Sequence, residues 1–270
     1  MIISYLKKFK ESYSFMELII LGCHSATPRE NHHTTSQILK IKKHYFLIDC
    51  GEGTQIQLRK AKINFSKINH IFISHLHGDH FYGLIGLISS FRLLGRKSSL
   101  YIYGPKGIKE LVIAQLKASN SWTNYPLFFK ELSSLKSQTL YEDKIISIKT
   151  IPLNHRIYTN GFLFKSNEKE NLTYAFCSDT KYDENIIDFI KFADILYHDS
   201  TFLDIDKDLA KKTKHSTSIE AATIAKKAKV KKLILGHYSS RYKKKNKFLE
   251  EAKNVFINSY LSEDLKRFLF

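Results

Sequence analysis

The chain has 270 residues, 43% of them hydrophobic, with only 4 prolines and 11 glycines. This excludes a low-complexity or disordered protein and predicts one large core. Lys and Arg outnumber Asp and Glu 43 to 26, for a net charge of +17, so the expected partner is polyanionic, a nucleic acid or an anionic membrane, with a generally lysine-rich composition as the plain alternative. No run reaches the ~18 apolar residues that span a bilayer. The N-terminal "MIISYLKKFKESYSFMELIILGC" has lysines behind a short apolar run and no small-residue cleavage site, so no signal peptide is expected. Cys23, Cys50 and Cys177 form no C-x-x-C pair, which predicts buried thiols in a reducing cytosol rather than disulfides or zinc ligands.

Residues 1–15 read as an N-terminal extension, and 16–270 as one domain. Strand-like runs rich in Ile, Phe, Tyr and Val fall at 17–22, 36–40, 44–49, 69–74, 99–103, 145–152, 173–178, 194–198 and 231–236. Helix-like stretches lie between them: "GTQIQLRKAKI" beyond Asp49, "FYGLIGLISSFRLLG" after His80 and "KGIKELVIAQLKAS" after Pro105. "STSIEAATIAKKAK" follows His215, with Ser216 or Thr217 as N-cap and Glu220 near the first turn. A last helix is expected within 246–258. Strand-heavy early segments and later alternation predict a layered α/β domain, helices outside and sheets inside.

Five apolar runs each stop at a residue able to bind metal or move a proton: His75, His155, Asp179, Asp199 and His237. In layered α/β folds, sites form where strand ends meet loops, so these five are expected at one edge. The densest signal is "ISHLHGDH" (73–80), three histidines and an aspartate within six positions. A polar surface loop is the plain alternative. Four good ligands on one short turn point instead to metal. His75 and His77, two apart, reach one ion, while adjacent Asp79 and His80 diverge toward a second. Imidazole with carboxylate suits zinc, with manganese or iron also possible. His155, Asp179 and His237 complete the set, Asp179 having two oxygens with which to bridge. Two ions ~3.5–4 Å apart activate a water and stabilise a developing oxyanion.

His-x-His-x-Asp-His followed by an isolated His, Asp and His resembles the metallo-β-lactamase superfamily. Within it, "DCGEGTQIQLRK" (49–60), "HDSTF" (198–202), "KHSTSIEAA" (214–222) and "LGHYSSRY" (235–242) resemble the ribonuclease Z family of tRNA 3′-processing endonucleases. The likeness runs from about Met16 to about Tyr242. It implies a four-layer αβ/βα sandwich and two Zn2+ per chain, with Mn2+ or Fe2+ as substitutes. His75, His77 and His155 would hold one ion, Asp79, His80 and His237 the other, and Asp179 would bridge. Metal-bound hydroxide, positioned by Asp79 as base, would attack the phosphodiester after the discriminator base of precursor tRNA, leaving a 3′-hydroxyl. His215 would protonate the leaving 3′ oxygen. That acid fits its task, because the leaving group is an alkoxide and a carboxylate partner favours the charged imidazole. The family usually supports this histidine with a glutamate; Asp199 stands there, with a shorter reach. A cytoplasmic homodimer with no membrane contact is also implied.

Two features depart from the family. Its Pro-x-Lys-x-Arg-Asn type loop is replaced by "TPRENHH", in which Arg29 and Asn31 remain available for RNA. Its long flexible arm is absent: His155 and Asp179 are only 24 positions apart, and "GFLFKSNEKENLTYAF" reads as a hairpin with a short charged tip, with no arm between 164 and 172. His24, His32, His33, His44, His70 and His198 are expected in core, surface or supporting positions. The alternative function is another hydrolase of the superfamily, acting on a small phosphodiester or a thioester. A basic RNA-binding protein with structural metal is disfavoured, since structural zinc sites are usually closed by cysteines.

Overall fold

The structure is a computed structural model, describing residues 16–270; the N-terminal extension lies outside the described residues. Its first half contains β1 (Met16–Gly22), β2 (Ser36–Ile41), β3 (His44–Cys50), α1 (Thr54–Lys60) and β4 (Ile68–Phe72). Then come α2 (Gly78–Phe81), α3 (Leu84–Leu93), β5 (Leu100–Pro105), α4 (Ile108–Ala118) and β6 (Leu127–Leu132). The second half runs through β7 (Thr139–Glu142), β8 (Ile146–Pro152), β9 (Asn160–Ser166), β10 (Thr173–Cys177), α5 (Ile187–Ile190) and β11 (Ile195–Asp199). It closes with α6 (Lys207–Thr213), α7 (Ser218–Lys227), β12 (Lys232–Gly236), α8 (Asn246–Val255), β13 (Ser259–Leu261) and β14 (Arg267–Leu269).

The strands form two seven-stranded sheets, ordered β14-β1-β2-β3-β4-β5-β6 and β13-β12-β11-β10-β9-β8-β7. Alternation sorts their side chains between two apolar layers. Along β1, Leu18 and Ile20 enter the core shared with the second sheet, while Ile19 and Leu21 join the cluster under α1, α3 and α4. Phe46, Phe72, Phe162, Phe164 and Phe176 fill the space between the sheets, and Ala221, Ile224, Phe248 and Ala252 cover the outer face of the second. Both sheets are thus buried on both faces, as strands with near-continuous apolar runs require. The result is the expected four-layer αβ/βα metallo-β-lactamase sandwich.

Strands β6 and β7 and the run after His80 differ from the expected elements, whereas the hairpin before Asp179 is as expected. Strands β6 and β7 sit at the sheet edges, where "LFFKEL" and "TLYE" alternate with exposed positions; they carry too little continuous apolar pattern to read as strands. The long helical run after His80 is two helices, and the first contains Asp79 and His80 themselves. The connection between β9 and β10 is a tight antiparallel hairpin, with Ser166 N donating to Leu172 O at 2.8 Å. At α7, Thr217 is the N-cap and forms a reciprocal capping box with Glu220. No helix among the described residues is long and apolar enough to cross a membrane.

Candidate metal centre

The loop leaving β4 carries the histidine cluster, and a buried carboxylate organises it. Asp49, near the end of β3, accepts from Ser74 N at 2.7 Å and Ser74 Oγ at 2.9 Å, and pairs with His80 Nδ1 at 2.7 Å. Burial pushes the Asp49 carboxyl up, against the opposing pull of His80 and Ser74. From the other sheet, His155 follows β8, Asp179 follows β10 and His237 follows β12. The parallel register of β10, β11 and β12 aligns Cys177 with His198 and Asp199 with Gly236, so Asp179, Asp199 and His237 leave neighbouring strand ends together.

Two sets of donor atoms result. In one, His77 Nδ1 lies 2.9 Å from His75 Nε2 and 3.3 Å from His155 Nε2. Asp179 Oδ2 lies 3.5 Å from His75 Nε2 and 3.7 Å from His155 Nε2. In the other, His80 Nε2, His237 Nε2 and Asp79 Oδ2 stand 3.3 to 3.5 Å apart, with Asp179 Oδ1 3.1 Å from each histidine. Four N/O donors held tetrahedrally around zinc at ~2.0–2.1 Å stand about 3.3 Å from one another. Both sets fit that spacing, and Asp179 offers one oxygen to each.

The outward ring nitrogens are engaged elsewhere, which aims the inner ones at the sets. His75 Nδ1 meets Ser74 Oγ at 3.0 Å, His155 Nδ1 meets Lys214 O at 2.9 Å, and His237 Nδ1 meets Thr201 Oγ1 at 2.9 Å. Burial holds the His75 imidazole well below its usual range, lowers His77, and brings His155 down to about 4. Neutral imidazole is the ligating form. Burial works against the charges of Asp79 and Asp179, yet the surrounding histidines hold both carboxyls below their ordinary value. Burial likewise opposes a charged His80, but Asp179, Asp79 and Asp49 raise it well above the ordinary histidine range. Ionised carboxylates in a buried cluster call for cations, which is the charge a metal brings.

His215 stands beside both sets, its ring centroid 4.9 Å from that of His155 and 5.2 Å from that of His237. Its Nδ1 pairs with Asp199 Oδ2 at 2.7 Å. The expected short reach of Asp199 is therefore not seen: the last residue of β11 is already close enough to need no extra methylene. Asp199 also accepts from Thr180 N, Thr201 N and Thr201 Oγ1 at 2.7 to 3.1 Å. Burial opposes the charge on His215, but Asp199 raises its affinity for the proton, and Asp199 is lowered in turn by His215 despite its own burial.

Sequence reasoning gave no role to Asp49 and Thr201, which brace the donor-bearing side chains without joining either set. Asp49 closes the apolar run "HYFLI" and opens "DCGEGTQIQLRK", and Thr201 lies within "HDSTF", but neither stretch says what its residue touches. The loop at 25–33 touches the centre through Ala26 N, which donates to Asp79 Oδ2 at 2.8 Å; Arg29 and Asn31 are exposed. His198 is buried, its Nδ1 on Asp199 O at 2.8 Å. His33 pairs with Asp264, His44 with Asp143, and His70 stacks on Tyr101. His24 and His32 pack edge to face, their centroids 4.4 Å apart. All three cysteines are free and buried, and Cys23 Sγ lies 3.6 Å from Asp264 Oδ1.

Relatives decide the family. The ribonuclease Z of Bacteroides thetaiotaomicron is 39% identical over 294 aligned residues, covering 92% of this chain and 93% of its own. The chain belongs to the ribonuclease Z family, a family of hydrolytic endoribonucleases. The ribonuclease Z of Cytophaga hutchinsonii is 41% identical, again over 294 aligned residues, with 92% and 94% covered. Both alignments are longer than this 270-residue chain, so these ribonucleases Z carry residues with no counterpart here. The human tRNase Z short form superposes with a TM-score of 0.82 at 29% identity, covering 93% of this chain and 98% of its own. The metallo-β-lactamase fold protein YhfI from Bacillus subtilis, at 21% identity and TM-score 0.79 over 95% and 100% of the two chains, shares the fold. Residues 16–260 also match the family model described as Anti-Pycsar protein Apyc1, and the chain belongs to that family too.

Proposed function

We propose that this ribonuclease Z family member is a zinc-dependent endoribonuclease that removes the 3′ trailer from precursor tRNA, cutting after the discriminator base and leaving a 3′-hydroxyl. The observation that carries this reading is Asp179 offering one oxygen to each of two donor sets, with the His215–Asp199 pair beside them. His75, His77 and His155 would hold one Zn2+, Asp79, His80 and His237 the second, and Asp179 both; Mn2+ or Fe2+ suits the same donors. When bound, such ions lower the pKa of a water and stabilise charge on phosphoryl oxygens. Asp79, steadied by Ala26 N, is the base that takes a proton from the attacking water. His215 gives its Nε2 proton to the leaving 3′ oxygen. Asp199 is a positioning residue, holding the imidazole charged and aimed.

The +17 net charge supports an RNA substrate, because phosphate contacts dominate nucleic-acid affinity. Arg29 and Asn31, exposed on the loop whose Ala26 N–H reaches Asp79, support this reading as candidate RNA contacts. We further assign residues 16–270 as the catalytic domain, the chain as a cytoplasmic homodimer, and the arm as absent between 164 and 172. The tight β9–β10 hairpin and the unmatched residues of the relatives support that absence, and exposed Ile56 on α1, Leu93 at the end of α3 and Leu94 just after it support a dimer. The same missing residues favour a second reading, a hydrolase of small phosphodiesters.

The test is cleavage of a precursor tRNA bearing a 3′ trailer by zinc-loaded protein. Mature-length RNA with a 3′-hydroxyl and a trailer with a 5′-phosphate are expected. Hydrolysis of bis(p-nitrophenyl) phosphate with no RNA cleavage would leave the second reading.

A further inference from the structure

Two depressions flank the His155–His215 pair, and their chemistry differs. The smaller, about 330 Å³, is lined by His215 with Lys181, Lys207 and Lys211 and by the carboxylates of Asp208 and Glu220, a wall rich in charge of both signs in which the lysines can meet phosphate oxygens. The larger, about 720 Å³, begins at His155. No lysine or arginine lines it among the described residues, and Asp183 is its one carboxylate. Leu135, Ile157 and Phe189 border it with 81%, 40% and 38% of their surfaces exposed. Such walls favour a neutral, flat, partly apolar group over a phosphate.

Asn160 adds a specific signal. It is 1% exposed, lines the larger depression, and neither Oδ1 nor Nδ2 has a hydrogen-bond partner among the described residues. A buried amide left unpaired costs stability, and such groups are rare unless a water or ligand completes them. The backbone is fixed at this place. Asn160 opens β9, pairs with Pro152 in the sheet register, and donates its backbone N–H to Ser74 O at 3.1 Å, next to His75. A donor and an acceptor side by side match the hydrogen-bonding edge of a nucleobase. An exposed ring matches a base face.

We propose that the larger depression is a nucleobase subsite: it takes one unpaired base next to the scissile phosphodiester, Asn160 reading its edge and Phe189 covering its face. This rests on the RNA reading above. Because His155 lines both the depression and the donor set, a strand whose phosphate lies at the centre brings an adjacent base within reach.

The experiment compares kcat/KM of metal-loaded wild type, Asn160→Ala and Phe189→Ala on a precursor RNA and on versions made abasic at one nucleotide at a time on either side of the bond. At one position, base removal should cost wild type roughly tenfold or more. Asn160→Ala should lose about as much on intact RNA and nothing further on the RNA abasic at that position; Phe189→Ala should show a smaller coupled loss there. Metal content should stay constant, and the melting midpoint of Asn160→Ala should not fall, since no protein partner is lost. Losses that multiply independently, no base-sensitive position, or a lowered melting midpoint with metal loss would overturn the subsite. Phe189 is partly exposed, so its variant carries the test if Asn160→Ala fails to fold. Wild type that cuts no RNA would sink the RNA reading itself, a result distinct from uncoupled losses on RNA that is cut.

Discussion

The two sheets build the centre in opposite ways. The first supplies four donor-bearing residues, His75, His77, Asp79 and His80, from one loop and the short helix that follows it. The second supplies them singly: His155, Asp179 and His237 after three strands, Asp199 at the end of a fourth, and His215 just before α7. The first arrangement depends on local hydrogen bonds to Asp49. The second depends on strand register and on Thr201, which touches Asp199, His215 and His237. Asp49 pairs directly with His80 and reaches His75 only through Ser74 Oγ, so damage to it should fall harder on one donor set, while damage to a residue that both sets share should spread evenly.

Asp179 is the point at which the two arrangements meet, so its loss should be the largest effect. Metal-reconstituted wild type should carry close to two divalent ions per chain by elemental analysis, and Asp179→Ala should lose most of both, with cleavage falling below detection. A metal-free protein with full activity would sink the metal reading.

His215 belongs only to the second sheet's contribution and holds no metal in this scheme. His215→Ala should lower kcat about 10²–10⁴-fold, the usual contribution of general acid–base groups, with metal content nearly intact. If the ions leave with it, the division between ligand and acid is wrong.

Asp49 tests the other side. Loss of a carboxylate that orients a ligating histidine typically costs about 10–100-fold in metal affinity. Competition with a chelator should show that loss in Asp49→Asn at one of two sites. Equal weakening of both sites would mean that the loop does not act separately.

The smallest expected effect is a shift in pH. Asp199 raises the affinity of His215 for its proton, and the acid acts only while protonated. Activity should thus fall as pH rises through the His215 pKa. Asp199→Asn removes the raising charge, so the alkaline limb of kcat/KM should move to lower pH, with less activity on that limb. An unmoved limb would assign it to another group.

The same contrast explains what could be read from the sequence. "ISHLHGDH" announces itself because its donors are contiguous, and the apolar runs before His155, Asp179 and His237 mark strand ends without saying which ends adjoin. The resemblance to ribonuclease Z supplied that grouping, and the structure brings the same seven residues into two sets. Thr201 was hidden because its role lies in distances between elements far apart in sequence. Edge strands β6 and β7 were hidden because half their side chains face solvent, which dilutes the apolar pattern.

Asp49, Asp179 and His237 share one further property: their φ angles are +55°, +55° and +65°. These side chains point where they do because the backbone beneath them is held in the left-handed region, which non-glycine residues rarely occupy and which costs of order 1 kcal/mol or more at each position. The surrounding sheets hold these turns in a shape they would leave if released. Local opening should accordingly begin at these strand ends before the sheets themselves separate, and amide exchange of metal-free protein should be fastest there. Cation binding would then act as a latch on the most spring-loaded parts of the chain.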